Sequence, residues 1–419
     1  MLEGRNLSKP GVEEAVREII DDVKRRGDDA LVEYTRKFDC PDFGTANLKV
    51  PQHALAEAAR TLCPDDRALI DEAIENIRAF HRAQVEQSWF RSSPNGSIVG
   101  QEVRPVCAAG LYVPGGQGGS TPLISTLLMT AIPAIEAGVK EIAIVSPPGP
   151  DGGLNPYMLA TAYILGLEEV YAVGSAWAVA ALAYGTGTIA PVDVIAGPGN
   201  IFVTCAKRLV SGQVGIDMLA GPSEILIIAD KAASPILVAV DMLSQAEHDP
   251  LASAVCISDS DSLLKNVALE LEAQVQNLPR REIAESSLDN WGALVKVNSL
   301  SEAVELSNRI APEHLELMVN EPWTLLGQVQ NAGAVFLGAN SPEAMGDYFA
   351  GPNHVLPTMG TSRFSSSLSV HTFTKRMSII YSSPEYARDS APKIARLARL
   401  EGLEAHAQSA ELRRFTKKP

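Results

Sequence analysis

Seven histidines occur in the 419-residue chain, and five of them fall after residue 245. The stretch SQAEHDP (244–250) sets Gln245 and His248 three positions apart, on one face of any helix that carries them, with Glu247 pointing elsewhere. Imidazole is a good zinc ligand, and an amide oxygen can add a neutral oxygen donor. The same residues would also suit an ordinary polar helix end, stopped by Pro250. Two ligands do not close a site. Asp347 in EAMGDYFAGPNH and His406 in EGLEAH offer further groups, which the sequence alone does not bring together.

A second pair, Glu313 and His314, follows Pro312 at the mouth of an expected strand. Strand neighbours face opposite ways, so both can serve one site only if the backbone there is irregular. Such a pair suits proton transfer, with histidine as a base near neutral pH and glutamate activating water. His53 and His81 lie in helical surroundings and read as surface or cap residues.

These groups need a scaffold. Residues 10 to about 88 show helical spacing: Val12, Val16, Ile19, Ile20 and Val23 form one stripe, with Gly27 as its stop. Leu69, Ile70, Ala73, Ile74, Ile77 and Phe80 form a second stripe. From about 105, short apolar runs alternate with helical stretches, as parallel strands buried on both faces require. The runs are AGLYV, EIAIVS, EVYAV, VDVIAG and ILIIAD, then SAVCIS, ALVKV, HLELMV and GAVFLG. The expected fold is α/β: two tandem Rossmann-like lobes, each an incomplete doubly wound parallel sheet. The expected divisions are a helical N-terminal region (1–104), a first lobe (105–230), a second lobe (231–374) and a helical tail (375–419). Three glycine-rich turns, VPGGQGGST (113–121), AGPGN (196–200) and AGPSE (220–224), are expected at strand carboxyl ends, where a nucleotide would bind. None spells a GxGxxG fingerprint or a P-loop.

Bulk properties narrow the partners. The chain is 46% apolar and 20% charged, with a net charge of −15 and no basic run, which argues against nucleic acid and anionic membrane surfaces. Cys40, Cys63, Cys107, Cys205 and Cys256 are scattered and read as reduced, mostly core residues of a cytoplasmic protein. Neither an apolar signal segment nor a membrane-spanning apolar run is visible.

Taken in order, GLYVPGG, IAGPGN, DMLAGPSEIL, SQAEHDP, APEHLEL, SPEAMGDYFAGPNHVLPT and EGLEAH resemble the histidinol dehydrogenase family over nearly the whole chain. The resemblance implies zinc-dependent, NAD-linked, four-electron oxidation of L-histidinol through L-histidinal to L-histidine. It also implies a homodimer whose shared sites each hold one zinc per subunit. Carried over by motif, zinc falls to Gln245, His248 and Asp347, with His406 arriving from the other protomer. Substrate meets those residues together with Ser223, His314, His354 and Glu401, the last also from the partner. His314 takes the alcohol proton and Glu313 activates the water that attacks the aldehyde-level intermediate.

NAD is assigned to Tyr112, Trp177 and Asn200. Trp177, in GSAWAVAALAYG, stands where the family pattern has glutamine, and an indole can stack on a ring but cannot copy an amide's donor and acceptor. The loop VPGGQGGSTPL is expected to be slightly longer than usual. The competing readings are a superfamily dehydrogenase for another polar alcohol and a non-catalytic metal-binding or ligand-binding protein, which would not need the Glu313–His314 pair.

Overall fold

The computed structural model describes residues 11–115 and 123–415. Strands run in chain order as β1 (Trp89–Ser92), β2 (Ile98–Pro105), β3 (Ala108–Tyr112), β4 (Glu141–Ser146), β5 (Glu169–Ala172), β6 (Val194–Ala196) and β7 (Gly215–Ile216). They continue as β8 (Glu224–Ala229), β9 (Ser253–Ser258), β10 (Gly292–Lys296), β11 (His314–Met318), β12 (Ala334–Leu337) and β13 (Thr374–Tyr381).

Residues 11–84 and 106–373 make one compact unit. It holds two five-stranded parallel sheets, in the orders β5-β4-β3-β6-β7 and β10-β9-β8-β11-β12. In each, the chain winds outward from a central strand to one side and then returns to the other, so the two expected α/β lobes are present. Every residue of β3, β8, β9 and β11 is buried, which accounts for the continuous apolar runs. Polar residues stand at the ends of these strands (Glu224, Ser253, Ser258 and His314), and Glu316 alone breaks the apolarity at an interior position, 1% exposed.

The lobe boundary differs from the expected one. ILIIAD belongs to β8, the central strand of the second sheet, rather than closing the first lobe. Among the N-terminal helices, Val12–Arg26 buries Val16, Ile19, Ile20 and Val23 and ends at Gly27, as its spacing predicts. Pro64–Arg82 buries Ile70, Ala73, Ile74 and Ile77 but leaves Leu69 and Phe80 exposed. His81 is fully buried, its Nδ1 2.8 Å from Gln84 Oε1, so it is no surface residue. His53 is exposed. The cysteines are free, but only Cys40 and Cys256 are buried.

The second unit comprises residues 85–105 and 374–415. Its antiparallel sheet, β1-β2-β13, joins chain segments expected to be purely helical, and two helices follow, Pro384–Leu400 and Glu404–Leu412. Ala395, Ala398 and Ala407 form the core between those helices. Arg399 clamps Glu404 and Glu411 across the same turn.

Candidate active site

A pocket of about 220 Å³ in the first unit is lined by Ser223, His248, Glu313, His314, Glu343, Asp347 and His354, among others. Thr126 and Pro198 from the first lobe complete its wall. Six of the expected site residues therefore converge. Pro198 follows the carboxyl end of β6, as anticipated. The second lobe behaves differently: Ser223 precedes β8, and His314 is the first residue of β11. Its contribution comes from strand amino ends, and the AGPSE turn leads into a strand instead of following one.

The helices explain this placement. Each crossover helix runs back toward the amino ends of the strands, so its last residues and the next loop arrive there. Pro235–Ala246 delivers Gln245 and, just past its end, His248. Leu300–Ile310 ends at Ala311, whose backbone is left-handed (φ 55°), and Pro312 follows. Glu313 is thus one residue outside the ladder and escapes strand alternation, which lets both neighbours line one cavity.

Burial governs their chemistry. His314 is 4% exposed, and its Nδ1 lies 3.0 Å from the carbonyl oxygen of Glu224. A carbonyl can only accept, so this contact puts the proton on Nδ1. Nε2, buried and without a hydrogen-bond partner, keeps its lone pair. Desolvation pushes the imidazole pKa down to about 3, so the ring is neutral near pH 7. Glu313 accepts the backbone N–H of Glu224 at 2.8 Å. Desolvation first, then the charge of Glu224, lifts its carboxyl well above the ordinary range. The Glu313 carboxyl is 3.7 Å from His314 Nδ1.

Gln245 is fully buried behind this wall. With its amide nitrogen turned toward Glu343, it donates to both carboxyl oxygens at 3.0 and 3.1 Å. Its oxygen is then the atom left for another partner. Glu343 was not anticipated from the sequence. It is 3% exposed, approaches His314 Nδ1 at 3.7 Å, and lies in a His314, Glu343 and Asp347 cluster whose ligand atoms fall within 4.8 Å of one another. Glu316 caps the amino end of the Glu343–Tyr348 helix by accepting the Glu343 N–H at 3.0 Å. Nothing in SPEAMGDY marks Glu343 as special, although a carboxylate four residues before Asp347 on one helical turn was a usable signal.

Desolvation raises Asp347 to about 6 and lowers His354 to about 4. His248 keeps exposed surface at the pocket, yet desolvation by the surrounding protein lowers its pKa. His354 Nδ1 is 3.0 Å from the Asp347 carbonyl oxygen, which orients that ring. Glu401 and His406 belong to the second unit, where both are exposed.

The cofactor candidates separate. Tyr112 ends β3, and its hydroxyl accepts the Ser175 N–H at 3.0 Å. Asn200 caps the helix Ile201–Val210 by accepting from Phe202 and Val203. Trp177 is only 3% exposed; its indole stacks on Tyr34 and Phe38 and donates to Thr35 at 3.2 Å, so its ring is spent on the core. Within the VPGGQGGST loop, residues 116–121 lie outside the described residues, as does the following Pro122.

Comparison with known proteins agrees with the motif resemblance. The family model for histidinol dehydrogenase matches residues 3–414. A histidinol dehydrogenase of Oleidesulfovibrio alaskensis is 61% identical over 413 residues, covering 99% of this chain and 95% of the relative. The Bacillus subtilis enzyme of that name is 51% identical, covering 95% and 92% of the two chains. The crystal structure of histidinol dehydrogenase from Elizabethkingia anophelis superposes with a TM-score of 0.91 at 36% identity, over 97% of this chain and 93% of that one. The chain belongs to the histidinol dehydrogenase family of oxidoreductases.

Proposed function

We propose that this protein is a zinc-dependent, NAD-linked histidinol dehydrogenase, oxidising L-histidinol through L-histidinal to L-histidine in the last steps of histidine biosynthesis. The observation that carries the proposal is the orphaned Nε2 of His314, buried beside a second titratable group in a pocket walled by carboxylates and imidazoles. A binding module has no use for an unpartnered base.

The donor set fits zinc, which takes nitrogen and oxygen ligands and needs neutral imidazole. Gln245, His248 and Asp347 would hold it, with His406 supplied by a second copy of the chain. Glu343 backs the amide of Gln245, the kind of outer support that orients a ligand. When bound, the ion anchors and polarises the imidazole and amine of the substrate. Ser223 and His354 line the pocket for the same substrate, and Glu401 of the second copy joins them.

Nε2 of His314 takes the hydroxyl proton as the alcohol is oxidised to the aldehyde. Glu313 then takes a proton from the water that adds to the aldehyde carbon. Having passed its first proton to solvent, Nε2 takes the hydroxyl proton of the resulting hydrate as it is oxidised to the acid. When bound, NAD would accept one hydride per oxidation, a fresh NAD serving each of the two steps. We place NAD at Tyr112 and the Asn200 turn, with Trp177 acting from behind by fixing the helix Ser175–Tyr184 against the core.

Two further features support the reading. A net charge of −15 suits a cationic substrate. The second unit exposes Ile380 (78%), Leu400 (77%), Leu412 (70%) and Leu397 (63%), apolar surface of the kind a homodimer covers. Among the described residues no helix is long and apolar enough to cross a membrane. With five free cysteines, we assign the protein to the cytoplasm.

The test is NADH formation from L-histidinol and NAD before and after chelation, with product counted per substrate. Two NADH per histidinol, lost on chelation and restored by zinc, is the expected result. Zinc-loaded protein that ignores histidinol and turns over another polar alcohol would sink the assignment.

A further inference from the structure

Lys207 and Asp217 form a buried ion pair that the mechanism above does not use. Their side chains are 3% and 0% exposed. Stability is a poor explanation for such a pair, because a well-packed apolar pair of similar volume is generally no worse. The pair's remaining bonds indicate another role. Lys207 Nζ donates to the carbonyl oxygen of Gly197 at 2.9 Å, and Asp217 Oδ2 accepts the N–H of Gly197 at 2.8 Å. Both polar groups of one peptide residue are thus held by the two ends of one ion pair. Asp217 Oδ1 also accepts the N–H of Met218 at 2.6 Å.

Gly197 is where the first sheet stops. Leu111 of β3 pairs with Ala196 of β6, and the next residue, at φ 119°, leaves the ladder. A Cβ on Gly197 would come within 2.1 Å of the Tyr112 carbonyl oxygen. The chain therefore turns away directly against the end of β3, with its own amide and carbonyl left to find partners. It continues into Pro198, which lines the pocket, and Asn200, which caps the next helix. On the other side, Asp217 opens the segment leading to Gly221 and Ser223, also in the pocket wall. Thr204, on the same helix as Lys207, donates to the Ala220 carbonyl at 3.2 Å.

We infer that Lys207 and Asp217 are positioning residues for the dinucleotide. They hold the AGPGN turn preformed, in register with Tyr112, before cofactor arrives. This rests on the placement of NAD at that turn. A preformed turn spares the cofactor the cost of ordering it, so loss of the clamp weakens NAD binding more than it slows the chemistry.

The experiment compares Lys207→Met, Asp217→Asn and the double variant Lys207→Met/Asp217→Leu in the full, zinc-loaded enzyme. The expected result is a KM for NAD raised about tenfold or more, with kcat and the KM for histidinol within about threefold. The double variant decides the matter, because it removes the unpaired buried charge and restores packing. A raised KM in a double variant that melts like the parent identifies a positioning role; a normal KM there overturns it. Hydrogen exchange on the unmodified enzyme gives a reading that no folding defect can spoil. The Gly197 amide should be protected without NAD, and an amide that exchanges freely until NAD is added contradicts a preformed turn. Asn200→Ala is the control on the underlying placement. If it leaves the KM for NAD untouched, NAD does not sit at this turn and the inference falls with that placement. If it raises the KM while the Lys207 and Asp217 variants do not, the clamp alone is wrong.

Discussion

The unequal roles of His314 and Glu313 come from one cause acting on two charge types. Removing water disfavours the charged form of each, so it lowers the imidazole pKa and raises the carboxyl pKa. The ring stays neutral with a free lone pair, and the carboxylate becomes a stronger base than an exposed glutamate. Their deletion should therefore separate the two oxidations. His314→Asn is expected to lower turnover of histidinol by a factor on the order of 1,000, as loss of a general base does. Glu313→Gln should retain the first oxidation and fail at hydration of the aldehyde, so NADH counted per histidinol falls from two toward one. A Glu313→Gln enzyme that still makes two NADH at the parental rate would remove Glu313 from the water step. The pair itself was legible in the sequence, because an adjacent acid and imidazole after a proline is uncommon. Glu343 was legible only through its spacing from Asp347: its importance arises from facing Gln245 and His314, which depends on how three elements pack.

At the scale of elements, the strands were readable and their arrangement was not. A fully apolar run announces burial on both faces but says nothing about which strand lies beside it, so β8 was assigned to the wrong lobe. Nor does such a run reveal which end of the sheet faces the ligand, which is why the use of amino ends in the second lobe came from the structure. Trp177 shows the same limit, since an aromatic residue beside a cofactor and one in the core look alike in sequence. Its packing has a neighbour with a measurable effect. Asp39 follows the helix Asp28–Phe38, whose Phe38 stacks on Trp177; its Oδ2 is buried without a hydrogen-bond partner, and burial raises its pKa to about 6. The folded protein then binds this proton more tightly than the unfolded chain, whose aspartate titrates near 4. Stability from this residue is highest below about pH 4, falls as pH rises toward about 6, and stays lower above. Asp39→Asn removes the charge, so it should gain on the order of 1 kcal/mol at pH 8, after allowance for partial exposure, and nothing at pH 4. Thermal midpoints at the two pH values provide the check, and a gain of equal size at both would refute the assignment.

For the whole molecule, the sequence reads as a line of segments whereas the second unit is assembled from two distant ones. β2 and β13 pair over eight residues although about 270 residues separate them in the chain, and two largely unburied strands carry no apolar run that would mark them as partners. That unit carries Glu401 and His406, both exposed, on a surface rich in uncovered leucine and isoleucine. The proposed shared site makes a strict demand on such a molecule. A His406→Ala chain retains its own Glu313 but cannot complete its partner's site, and a Glu313→Ala chain has the opposite defect. Each homodimer should be inactive. In a mixed dimer, one site combines the intact Glu313 of the first chain with the intact His406 of the second, and the other site carries both lesions. Random exchange of equal amounts makes half the dimers mixed, each with one working site, so activity should recover to about a quarter of the parent value. The measurement is NADH formation after the two variants are unfolded and refolded together, beside each refolded alone. Recovery near that fraction requires His406 to act in the other protomer. Mixed dimers verified by differently tagged chains, yet inactive, would mean that each protomer builds its site from its own tail.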